Sequence, residues 1–79
     1  MKLDWKRTAA GSSVWRGTVP QWAWHYSIER DMTYSIYSVR LHLPNGQIQD
    51  VGARYTLPEA KKMAKEYAER RHQYGNLPD

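Results

Sequence analysis

The chain has 79 residues, room for one small domain but not for a two-domain cleft, a dinucleotide-binding fold or a barrel enzyme, since domains usually run to roughly 100–150 residues. It contains no cysteine, which excludes disulfides, thiolate metal sites and a cysteine nucleophile. A net charge of +4 and a pI near 9.6 permit an acidic partner without demanding one, and four Trp and six Tyr against no Phe put an N–H or O–H on every one of these rings.

In chain order, Leu3 and Trp5 alternate with Asp4 and Lys6, the period of two that marks a strand. Residues 1–13 therefore read as a basic N-terminal arm or a weak first strand, with Ala9-Ala10-Gly11-Ser12-Ser13 as a joint. Residues 14–19 read as a second strand stopped by Pro20. Trp22, Trp24, Tyr26 and Ile28 alternate against Ala23, His25, Ser27 and Glu29, which predicts a strand with one apolar face. Arg30-Asp31-Met32-Thr33 reads as the turn after it. From Tyr34 to Leu43 the apolar phase switches between Ile36 and Tyr37, so a β-bulge or a crossing between packing environments is expected there. Pro44-Asn45-Gly46 marks a tight turn, and the return strand runs from Gln47 to about Tyr55, with Gly52 at a bulge or close approach.

Thr56-Leu57-Pro58-Glu59 reads as a capping box, with Pro58 in the first turn where its missing N–H costs nothing. Ala60, Met63, Ala64, Tyr67, Ala68 and Arg71 then recur at helical spacing, which places small apolar groups and Tyr67 on one face. Lys62/Glu66, Lys65/Glu69 and Glu66/Arg70 lace the other face, basic Arg70, Arg71 and His72 gather in the last turn, and Gly75 supplies the stop. Residues 14–55 are thus expected as antiparallel strands, 56–74 as a helix and 75–79 as a tail. The fold class is α+β: a twisted antiparallel sheet of three to five strands with one C-terminal helix packed on one face.

No spacing carries catalysis or metal binding. His25, His42 and His72 lie far apart, and His25 and His42 fall on the polar phases of their strands, as surface histidines do. Glu29 and Asp31 flank a turn, Asp50 lies mid-strand, Glu59 is used in capping, and no serine has a base partner. The expected protein is not an enzyme and takes no cofactor or metal. Its N-terminus is charged with no apolar run behind it, and nothing approaches the roughly 20 apolar residues of a membrane span. A mean hydropathy of −0.87 agrees, so a cytoplasmic protein is expected.

What remains is binding. Trp, Tyr and Arg dominate protein–protein hot spots, and the same side chains stack on bases and grip phosphates. The apolar phases claim Trp22, Trp24, Tyr26, Val39, Leu41 and Tyr67 for a core, which leaves Trp5 with Lys6 and Arg7, and Trp15 with Arg16, as interface candidates. Residues 1–16 are the most basic part, with Lys2, Lys6, Arg7 and Arg16 against Asp4.

Val51-Gly52-Ala53-Arg54-Tyr55-Thr56-Leu57-Pro58-Glu59-Ala60, following three strands and opening a helix, resembles the strand-to-helix junction of AP2-like DNA-binding domains. The arm-binding domains of phage tyrosine integrases share that plan. The common pieces are the apolar-Gly pair, the cap Thr and the Glu-Ala that starts the helix. In the family an aromatic usually stands two positions before the cap Thr, where this chain has Arg54, with Tyr55 in the next place. The chain is also similar to short phage and prophage proteins with an early Trp, a Tyr-x-Ile strand and a closing helix introduced by Thr-Leu-x-Glu-Ala-Lys. Some small phage proteins of this size inhibit host enzymes or bacterial immunity systems.

These resemblances imply a phage or mobile-element protein acting in the host cytoplasm. They imply nucleic-acid binding through the basic arm and a sheet face carrying Arg40, His42 and Arg54. The alternative is a protein-interaction module that inhibits a host enzyme or immunity complex through exposed Trp, Tyr and Arg. The expected partner is nucleic acid or a host protein, with no membrane, and an open sheet edge at residues 14–19 offers a route to a homodimer.

Overall fold

The computed structural model describes residues 3–9, 11, 13–19 and 22–73. Pro20, Gly75, the 75–79 tail and the side chains of Arg71 and His72 lie outside the described residues. Among the described residues the chain forms β1 (Asp4–Arg7), β2 (Val14–Thr18), β3 (His25–Asp31), β4 (Ile36–His42), β5 (Ile48–Arg54) and α1 (Leu57–Gln73). The strands pair antiparallel in chain order, a five-stranded meander with the helix on one face. Asp4–Arg7 is hydrogen-bonded along β2 rather than extending as a free arm. β2 is paired on both sides, so residues 14–18 offer no open edge; the edges are β1 and β5. That corrects the expected dimer edge.

The hairpin turns follow from local chemistry. Asp31 accepts the N–H groups of Thr33 (2.9 Å) and Tyr34 (3.3 Å) on one carboxylate oxygen, and Ser35 closes the turn at φ 52°. The turn therefore occupies residues 32–35, and Tyr34 belongs to it rather than to a strand. The phase break at Ile36 is simply where β4 begins. At the next turn Pro44 and Asn45 are the central residues: Gly46 N–H bonds to Leu43 C=O, Gln47 N–H bonds to the Asn45 side chain, and Gly46 takes φ 91°. The bulge lies in β5, beside Gly52 as expected and not at Ile36–Tyr37: Val39 pairs with Gly52 but Arg40 pairs with Asp50, leaving Val51 as the extra residue.

The helix begins at the capping box. Thr56 Oγ1 accepts the Glu59 N–H at 3.3 Å and donates to Glu59 Oε1 at 2.8 Å. Ala60, Ala64 and Ala68 are fully buried on the sheet, so the helix backbone approaches it closely over β3, β4 and β5. Beneath lie Tyr26, Ile28, Val39 and Leu41, each fully buried, the three aliphatic side chains each contributing roughly 1.5–3 kcal/mol of burial. Trp22, Trp24 and Tyr26 chain onto Tyr67 through a stacked pair at 4.0 Å and two edge contacts at 5.6 and 6.3 Å. The helix does not reach β1 or β2. On the helix side of the sheet these two strands carry their own rings, Trp5 and Trp15, both half-buried against the core. No helix among the described residues is long and apolar enough to cross a membrane.

Candidate functional site

Strand alternation sorts the polar residues onto two faces. The face opposite the helix carries two rows that run from strand to strand. One is Asp4, Thr18, His25, His42 and Ile48; the next is Lys6, Arg16, Ser27, Arg40 and Asp50. His25 and His42 stack with centroids 4.5 Å apart and planes 8° from parallel. Ser27 Oγ lies 2.8 Å from His42 Nε2. Burial, then the Arg16 guanidinium and His42 beside it, push His25 down to about 4; burial, Arg16 and Arg40 lower His42. A cleft of about 420 Å³ opens here, with Arg16, Ser27, Glu29 and Arg40 among its walls. The charges of this face are balanced: Lys6 lies 3.8 Å from Asp4 and Arg40 lies 3.9 Å from Glu29, both well exposed, and Asp50 stands opposite Arg40.

The helix-side face differs at the end where β3 and β5 finish. Arg30 pairs with Tyr37, and Tyr37 with Arg54, so two guanidinium-bearing strands flank one ring. Arg30 lies over Tyr37 at 5.9 Å, Arg7 lies over Trp15 at 5.5 Å, and the two rings are 5.9 Å apart. Arg54 also donates to Ala53 C=O at 2.7 Å. Arg7, Arg30 and Arg54 are exposed and the two rings half-exposed, while Asp4, Glu29, Asp31 and Asp50 all point to the other face. The turn at residues 32–35 and the β5–α1 junction end beside them, and leave Tyr34 and Tyr55 72% and 79% exposed.

The expected binding residues are therefore divided. Lys6, Arg16, Arg40 and His42 share the open face; Trp5, Arg7, Trp15 and Arg54 lie on the helix side. Arg54 was expected beside Arg40 and His42, and the bulge overturns this: one extra residue at Val51 moves Gly52 and Arg54 to the opposite face. Arg30 and Tyr37 complete the helix-side cluster, and His25 and Ser27 complete the open-face cleft, although none of the four stands out in the sequence. The Asp31 side-chain turn is the signal for both, because it sets the β3–β4 register. Among the described residues no group of three or more His, Asp or Glu could hold a metal ion. In comparisons with known proteins the chain matches no family model, no curated protein and no solved structure.

Proposed function

We propose that the chain is a non-catalytic module that binds single-stranded nucleic acid on the helix-side cluster of Arg7, Trp15, Arg30, Tyr37 and Arg54. One observation carries this reading. Three guanidinium groups from three strands surround two partly exposed rings on a face to which the sheet contributes no carboxylate. Rings that accept stacked bases beside cations that follow the backbone are what sequence-tolerant single-strand binding needs. Exposed Tyr34 and Tyr55 extend the platform.

The open face supports duplex binding less well. Its five strands span ~19 Å at the usual strand spacing, against a major groove of ~12 Å. Its cations are also offset by Asp4, Glu29 and Asp50.

Trp fluorescence titrated with single-stranded and duplex oligonucleotides at low and moderate salt tests the reading. Single strands should quench Trp15, bind more tightly than duplex, and weaken with salt in proportion to the phosphates neutralised. Arg30→Ala and Arg54→Ala should each weaken binding and flatten the salt dependence. No quenching at low salt refutes the reading.

A protein-interaction role is the second reading, favoured by exposed Met32 beside Tyr34 at the same end, the residue types of interface hot spots. A nuclease-treated pull-down that returns a stoichiometric protein lost in Arg30→Ala would replace the first reading with this one.

A further inference from the structure

We propose that the open-face cleft between Arg16 and Arg40 is a site for a phosphate-type oxyanion, with the Ser27 hydroxyl between the two guanidinium groups and the stacked His25–His42 pair as one wall. The site is separate from the nucleic-acid surface proposed above and lies on the other side of the sheet.

Three placements support it. Arg16, Ser27 and Arg40 stand in one cross-strand row, so the guanidinium-bearing strands lie two spacings apart, ~10 Å, with a hydroxyl midway. Among the described residues Arg16 has no carboxylate within ion-pair distance, which leaves its fork of donors for a ligand. The cleft, about 420 Å³, exceeds the size of a tetrahedral oxyanion and admits the group that carries it.

The histidines favour an anion over a metal. With centroids 4.5 Å apart and planes 8° from parallel, the ring lone pairs lie in two separate, nearly parallel planes, which is poor geometry for converging on one ion. Arg16 and Arg40 would also repel a cation. Burial and then the Arg16 guanidinium disfavour protonation of both rings, and Arg40 adds to this at His42. An anion seated between the two guanidinium groups offsets their field, so the imidazoles should gain protons as the ligand binds. The other charged groups facing the site are Asp4 and Lys6 from β1, Glu29 and Asp31 from β3, and Asp50 from β5. Glu29, 3.9 Å from Arg40, is the group the anion must displace.

The test follows the His25 and His42 imidazole resonances while inorganic phosphate replaces chloride at constant ionic strength. Saturable shifts of both rings and a rise in both titration midpoints are expected. Arg16→Ala should weaken the binding about tenfold or more, the loss typical of removing a charge-assisted bidentate contact, with Arg16→Lys intermediate. Arg40→Gln should weaken it too, and Glu29→Gln should strengthen it. Lys62→Ala, on the exposed side of α1 across the sheet, serves as the control and should leave the imidazole shifts as in the wild type. Oligonucleotides with and without a 5′-phosphate, titrated on the Arg30→Ala variant, separate a terminal phosphate from the free ion as the source. Non-saturable shifts, or shifts equal in wild type, Arg16→Ala and Arg40→Gln, overturn the proposal. Loss of nucleic-acid binding in Arg30→Ala bears only on the opposite face.

Discussion

The six-membered ring of Trp5 sits on Gly17, its cross-strand partner, so closely that a Cβ at residue 17 would fall 2.8 Å from three ring carbons. Glycine is needed here for close approach. The ring roofs the part of β2 that the helix does not reach. Gly17→Ala should push the ring aside and cost about 1–3 kcal/mol, the usual range for overpacking. Urea unfolding measures the loss, and Trp5→Leu in the same chain should recover part of it. A Gly17→Ala protein as stable as the wild type would place the ring elsewhere.

Gly52 requires glycine for a different reason. It follows the bulge at φ 147°, a conformation that side chains rarely adopt, and an added Cβ would meet the flexible end of Met63 at 3.2–3.3 Å. Gly52→Ala should therefore lose stability mainly through backbone strain, of order 1–3 kcal/mol. Shortening Met63 removes the contact but leaves φ unchanged. Gly52→Ala/Met63→Ala should thus be no more stable than the sum of the two single changes, and full rescue by the second change would assign the loss to the contact.

Which parts of this architecture can be read from the residues depends on distance along the chain. The helix was legible because its signals are local: Thr56 reaches Glu59 within one turn, and Ala60, Ala64 and Ala68 mark the buried stripe. The alternation of Tyr26, Ile28, Val39 and Leu41 likewise marks the core face. The sites were less legible because they depend on register. A turn set at residues 30–33 would pair His25 with Ser38, whereas the Asp31 side chain shifts the turn and brings His25 opposite His42. Arg30, read as a turn residue, becomes the strand partner of Tyr37 by the same shift. For Arg54 the deciding feature is a single unpaired residue, Val51: Gly52 marks a bulge or close approach there, but not which residue is left over, so the face of Arg54 stays open in the sequence.

The cap gives a quantity that local chemistry alone should govern. Thr56→Ala removes the acceptor of the Glu59 N–H and should cost ~1 kcal/mol. Glu59→Ala leaves the Thr56 hydroxyl free to cap and should cost less. Thermal unfolding of the two variants, read by circular dichroism, checks the order. Equal losses would mean that the side-chain contact between Thr56 and Glu59 at 2.8 Å, rather than the backbone bond, holds the terminus.

The stacked histidines set the pH response. In the folded chain His25 is lowered from 6.5 to about 4, first by burial and then by Arg16 and His42, and His42 is lowered as well. Unfolding restores both to ordinary values near 6.5. Between about pH 6.5 and 4 the unfolded chain therefore binds protons that the folded chain refuses, and stability falls as the pH falls. The contribution is complete above 6.5. Urea midpoints at about pH 7.5, 6 and 5 should decline steadily, in a range above most carboxylate titration. His25→Gln should flatten this decline, and Arg16→Ala should flatten it partly, because removing that guanidinium lets both rings accept protons more readily. A wild-type midpoint constant from pH 7.5 to 5, or a decline unchanged in His25→Gln, would mean that the stack does not hold its rings neutral in the folded protein.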